Sequence, residues 1–166
     1  MSEPATQPSV PIALASGEGD AFWFFGTLAT IKASSETTSR RVAVIEHLAP
    51  EGAASPLHVH HNEDEWFYVT EGAATFGWRQ DHSGVHRFVC IRTTRHPHTF
   101  MVTSPQARFL LVTERAGFEK FVRMLGEPAA ARTIPPRSVQ LPSFEQVISA
   151  AAQFGLEILG PPGIPN

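Results

Sequence analysis

The chain has 166 residues, enough for one domain with its own core and short for two. Thirteen Lys and Arg against 16 Asp and Glu give a formal charge of −3, which argues against a basic field of the kind that binds nucleic acid or an anionic membrane. With 42% hydrophobic and 17% charged residues the composition is that of a folded protein, and the single cysteine, Cys90, excludes an internal disulfide framework and a Cys-rich zinc site. No apolar run approaches the roughly 20 residues of a membrane-spanning helix. Residues 1–10 lack the basic and apolar regions of a secretory signal, so the expectation is a cytoplasmic protein.

Residues 1–20 read as a flexible lead-in, rich in Pro, Ser, Thr and Gln up to Pro11. From Ala21 short apolar runs alternate with turn residues, predicting strands at 22–25, 27–33, 41–48, 57–60, 65–70, 73–78, 87–91, 99–103 and 108–113. Many short strands without intervening helices predict an all-β antiparallel sandwich or barrel over 21–115. After Glu114 the period changes. Phe118, Phe121, Val122 and Leu125 mark one face of a helix ending at Gly126. A proline-rich strap follows, and Ser143 with Gln146 forms a capping box ahead of a second helix whose apolar face is read as Phe144, Val147, Ile148 and Ala151, with Gly155 as its stop. Residues 116–166 are expected to belong to the same domain, the two helices packing outside the barrel and the tail at Gly160–Gly163 extended.

One stretch carries chemistry. From Gly52 to Gly72 the skeleton is Gly, five residues, His58-x-His60, four residues, Glu65, six residues, Gly. Residues two apart on a strand share a face, so both imidazoles can point inward, and the turn at 61–64 brings Glu65 onto the next strand alongside them. Two imidazoles and a carboxylate converging on one point suit a divalent transition metal: Fe, Mn, Ni, Co, Cu and Zn all accept such a set. Phe67 and Val69 share the inward face of Glu65, while Trp66 and Tyr68 face outward, which would put the metal in an apolar, small-molecule cavity.

The Gly52–Gly72 segment resembles the first motif of the cupin superfamily position for position, and residues 21–162 are similar to single-domain bacterial cupins related to quercetin 2,3-dioxygenase. The resemblance implies a cupin-type β-barrel or jelly roll, commonly a homodimer, but that fold hosts many reactions. The second cupin motif, Gly, five residues, Pro-x-Gly, two residues, His, three residues, Asn, is incomplete: no Pro-x-Gly occurs between Gly84 and Phe100. Pro97-His98-Thr99-Phe100 resembles the family's ending, which makes His98 the third imidazole, with His96, of the same strand parity, as the competitor. Phe100 and Val102 share that parity.

The resemblance then implies a mononuclear metal-dependent dioxygenase cleaving a flavonol or related aromatic, enolisable hydroxyl compound with dioxygen. His58, His60, Glu65 and His98 would hold the metal, Glu65 would also take the substrate's hydroxyl proton, and Phe67, Val69, Phe76, Phe100 and Val102 would surround the ring. A cupin-type polyketide cyclase using a Lewis-acid metal and a non-catalytic binding or sensing cupin are the alternatives. Outside the motif, His61 reads as a solvent-facing turn residue, and His47, His82 and His86 as polar-face or loop positions. Cys90 reads as a buried thiol, and Phe22–Phe25 as a cap on the barrel or a dimer contact.

Overall fold

A computed structural model describes residues 11–15, 17–77, 83–86, 90–93 and 95–164, the segments 83–86 and 90–93 by their backbone alone. Residues 1–10 and 16 of the expected lead-in at 1–20, and His82, lie outside the described residues, as do the side chains of His86 and Cys90. Among the described residues twelve strands and two helices follow one another: β1 (Asp20–Phe24), β2 (Thr27–Ala33), β3 (Val42–Pro50), β4 (Pro56–His60), β5 (Asp64–Glu71), β6 (Ala74–Gly77), β7 (Ser83–His86), β8 (Cys90–Thr93), β9 (Thr99–Val102), β10 (Gln106–Glu114), α1 (Phe118–Leu125), β11 (Glu127–Pro128), α2 (Phe144–Gln153) and β12 (Leu156–Pro162). No helix among the described residues is long and apolar enough to cross a membrane.

All ladders are antiparallel. Seven strands form one sheet in the order β11-β1-β2-β3-β10-β5-β8, while β12-β4 and β7-β6-β9 form two smaller ones. The small sheets are joined by a reciprocal bridge in which the His58 amide donates to the His98 carbonyl at 3.0 Å and the His98 amide donates to the His58 carbonyl at 2.9 Å. A five-stranded layer, β12-β4-β9-β6-β7, therefore stands against the seven-stranded one, the all-β antiparallel arrangement that the strand pattern predicts and the jelly roll that the resemblance implies.

Alternation of side chains on β5 and β10 builds the core. Glu65, Phe67 and Val69 point inward while Tyr68 is exposed, and Ala107, Phe109, Leu111 and Thr113 point inward from the neighbouring strand. Phe67 meets Phe76 (5.1 Å between centroids) and Phe100 (5.8 Å) from the facing layer, and Phe100 meets Phe109 edge-on at 5.2 Å. At the turn after β5, Gly72 has φ +76, and a Cβ there would collide with the Gln106 carbonyl oxygen, so the closing glycine of the motif is required by backbone approach.

The C-terminal third is woven into both layers. Glu127 pairs with Trp23 at one edge, and the Trp23 indole N–H donates to the Thr133 carbonyl at 2.9 Å, tying down the proline-rich strap. β12 pairs with β4, Leu156 opposite His60 and Ile158 opposite His58, a ladder that the reading of this tail as merely extended does not foresee. The capping box at Ser143 and Gln146 forms, and Gly155 takes φ +71 after α2. The helix is rotated from its expected setting: Val147, Ala150 and Ala151 are buried, whereas Phe144 and Ile148 are exposed. The small Ala150–Ala151 surface lets α2 approach α1 and β12 more closely than a Phe144–Ile148 face would allow.

Phe109 is 1% exposed and lies between both layers, so Phe109→Ala is expected to cost about 3–5 kcal/mol, read as a lowered urea midpoint at unchanged slope.

Candidate metal centre

His58 and His60 lie on β4 two residues apart and both are buried. The chain then crosses between layers. β5 is not a neighbour of β4, as a simple reversal at 61–64 would make it; it pairs with β10 and β8 in the larger sheet, so Glu65 reaches the histidines from the opposite face of the sandwich. His98 immediately precedes β9 and is fixed beside His58 by the reciprocal backbone bridge. His96 is exposed, and its contribution to the cluster is its carbonyl oxygen.

The ligating atoms of His58, His60, Glu65 and His98 all lie within 4.8 Å of one another, and all four residues are buried. Each imidazole is oriented by its other nitrogen. His58 Nδ1 donates to the Pro56 carbonyl at 2.8 Å and His98 Nδ1 donates to the His96 carbonyl at 2.9 Å. His60 Nδ1 donates to a carboxylate oxygen of Glu63 at 2.9 Å. With their Nδ1 protons committed, the three rings turn Nε2 toward one point: His58 Nε2 is 3.0 Å from His60 Nε2, and Glu65 Oε2 is 2.8 Å from His98 Nε2 and 3.4 Å from His60 Nε2. Lone pairs at such spacing need a proton or a cation between them, so the donor set fits a divalent transition metal with three imidazoles and one carboxylate.

The charges follow the same geometry. Burial alone would raise the Glu65 carboxyl, but His60 and the adjacent His98 ring hold it down at about 2, so it is an anion. Burial, with neighbouring His98 and His60, pushes His58 down to about 3 and keeps it neutral. For His60 burial works downward too, yet Glu65 and Glu63 prevail and raise it.

An apolar cavity ends on this cluster. About 70 Å³ of it is open to the centre of a water molecule, and Glu65, His58, Phe67 and Phe100 form part of its wall. Val69, Phe76 and Val102, expected around a bound ring, are buried but do not line it. They share the inward parity yet lie further along their strands, where Phe76 pairs with Phe100 and Val102 with Ala74 and the two layers close. The wall is completed by groups that strand spacing does not point to: Phe24, Phe25 and Thr27 from the first hairpin, Phe118 and Phe121 from α1, and Leu156 and Ile158 from β12. The Phe22–Phe25 segment thus caps this chain's own barrel, with Phe24 5.7 Å from Phe121. Both helices contribute to the mouth instead of lying wholly outside, as Phe121 and Val147 show.

Two further residues escape the sequence reading. Glu63, within the turn at 61–64 and given no role by the motif spacing, is buried under His60. His47, read as a polar-face residue, is 4% exposed and points inward from β3. The signal was present in alternation, since Ala43, Ile45, His47 and Ala49 share one parity and all are buried. His61 is exposed, 2.8 Å from Glu157, as expected of a turn. Arg95 stands three residues before His98, where the second motif has its Pro-x-Gly glycine, and adopts the left-handed φ +48 that a glycine would take freely.

Burial holds His47 at about 4 against 6.5 for the free side chain. The unfolded chain therefore binds more protons between these values. Stability is full above 6.5, falls as the pH drops toward 4 and levels off below, a loss of roughly 3 kcal/mol from this group. His47→Leu is expected to flatten that part of the profile, measured as urea midpoints between pH 7.5 and 4.

No family model matches the chain. Quercetin 2,3-dioxygenase of Bacillus subtilis (strain 168) is 26% identical over 147 residues, covering 86% of this chain; the chain spans 43% of that relative's length. Among solved structures, an oxalate decarboxylase assigned by prediction in Thermotoga maritima superposes with a TM-score of 0.56 at 18% identity, over 63% of this chain and 99% of that one. KdgF from Halomonas sp. superposes with a TM-score of 0.51 at 14% identity, over 57% of this chain and 85% of that one. At these identities the superpositions speak for the fold, and together with the sequence match they make the chain a cupin-fold protein resembling quercetin 2,3-dioxygenase.

Proposed function

We propose that the chain is a mononuclear metal-dependent dioxygenase acting on a compact aromatic compound with an ionisable hydroxyl. The observation that carries this reading is the convergence of three Nε2 atoms and one carboxylate, each ring held by its Nδ1 proton, at the end of an apolar cavity. His58, His60, Glu65 and His98 would hold the ion. A divalent transition metal bound there supplies a Lewis-acidic and, unless it is zinc, redox-active centre for a substrate oxygen and dioxygen.

The chain's own residues do the rest. Phe67, Phe100, Phe118 and Phe121 exclude water from the ring's site and lower the local dielectric, which strengthens each charge interaction at the cluster. Glu65, ionised and within the cavity wall, takes the hydroxyl proton at its carboxylate, and Glu63 keeps the His60 ring turned inward. The space open to water centres, about 70 Å³, is smaller than the roughly 150 Å³ of an apolar cavity that admits a benzene ring. A one-ring substrate therefore enters only as the α1–α2 side of the mouth widens, and a three-ring flavonol requires a larger movement there.

Elemental analysis of protein purified without an affinity tag or chelator is expected to find about one redox-active ion per chain, and oxygen uptake should appear with small hydroxylated aromatics. His58→Ala and Glu65→Gln should lower bound metal to less than about a tenth with unchanged far-ultraviolet circular dichroism, and Glu63→Gln should weaken metal binding roughly 10–100-fold. One zinc per chain with oxygen-independent ring closure would replace this reading by a cyclase. Absence of metal after reconstitution would replace it by a binding module.

A further inference from the structure

His47 is placed to do something that the metal cluster does not. It projects from β3 into the same cavity, its ring stacked on Phe109 at 5.0 Å with 5° between the planes. Its hydrogen bonding is decided by its neighbours. The Thr27 hydroxyl donates to the Phe24 carbonyl at 2.7 Å, so its one proton is used, and toward His47 Nδ1, 3.1 Å away, Thr27 Oγ1 can only accept. His47 is therefore the Nδ1–H tautomer, and its Nε2 is a lone-pair acceptor. That Nε2 is buried with no partner among the described residues. A buried acceptor without a donor is costly, and its cost is recovered when a ligand brings one.

We infer that His47 Nε2 is the specificity-determining acceptor of the cavity, receiving a hydroxyl or N–H proton from the bound molecule. The molecule it selects is a compact aromatic carrying a hydrogen-bond donor, held against an otherwise apolar wall. His47 is a positioning residue for the substrate class named above, and the inference rests on that reading only in taking this cavity as the substrate's site. The chain Phe24 carbonyl, Thr27 hydroxyl, His47 imidazole fixes the tautomer from the first hairpin, so the acceptor is set before any ligand arrives. A site built this way discriminates against the analogue that lacks the donor, because that analogue leaves Nε2 unpaired.

The test uses p-cresol and p-xylene, which differ by a hydroxyl in place of a methyl. Their dissociation constants are measured calorimetrically for the protein as purified and again after chelation, in wild type, His47→Leu and Thr27→Val. The ratio Kd(p-xylene)/Kd(p-cresol) is expected to fall about five- to tenfold in His47→Leu, with or without metal, and to fall by a smaller factor in Thr27→Val, which frees the tautomer. Nitrogen-15 spectra of wild type provide a second readout that needs no variant: His47 should show an unprotonated Nε2 whose resonance shifts with p-cresol and not with p-xylene. An unchanged ratio in a folded His47→Leu protein, a protonated Nε2, or failure of wild type to prefer p-cresol relative to the variant overturns the inference. A protein that holds no metal and consumes no oxygen yet shows the ratio change keeps His47 as the acceptor and overturns the dioxygenase reading alone.

Discussion

The reciprocal backbone bridge between His58 and His98 is the constraint on which the rest of the site depends. Its two hydrogen bonds join the β12-β4 pair to the β9-β6-β7 sheet, making one layer from two. The same bridge sets two imidazoles side by side, their ring centroids 4.3 Å apart. His60 follows on the same face of β4, and Glu65 comes from the opposite layer to complete the group. The cluster is thus a seam between the two sheets, held by backbone hydrogen bonds that do not depend on a metal.

Around that seam the electrostatics are arranged by layers of contact. Main-chain carbonyls and Glu63 take the outward protons of the three rings, which leaves the inward nitrogens as donors of electron pairs. Glu65 supplies the negative charge at 1% exposure, an arrangement that would be costly without the imidazoles facing it. Glu63, also buried, is stabilised by its bond to His60. The buried carboxylates and histidines therefore stabilise one another as a network, and truncating one member leaves its partner unsatisfied.

The cavity beside the cluster is apolar because aromatic rings from distant parts of the chain close over it. Phe24 packs edge-on against Phe118 and Phe121, at 6.3 and 5.7 Å between centroids, and Phe118 in turn lies 5.7 Å from the His60 ring. The first hairpin and the first helix, nearly a hundred residues apart, thus form one wall over β4. β12 seals the opposite side by pairing with β4, so the C-terminal segment is a structural part of the site.

The amino-acid sequence by itself determined the strand alternation, the inward set Glu65, Phe67 and Val69, the Ser143 cap and the spacing that puts His58, His60 and Glu65 within reach of one point. Those features are local: a two-residue period, a turn or a cap is encoded within a few residues and survives whatever packs on it. Tertiary structure alone decided that β4 and β5 belong to opposite layers and that α2 buries Ala150 and Ala151 in place of Phe144 and Ile148; His98 was already set ahead of His96 by the resemblance of residues 97–100 to the second motif's ending. Tertiary structure also turned His47, read as a polar-face or loop residue, and Glu63, given no role, into buried partners of the site. Each of these depends on which strand lies beside which, a contact between residues far apart in the chain, and no periodicity within a single segment records its neighbour.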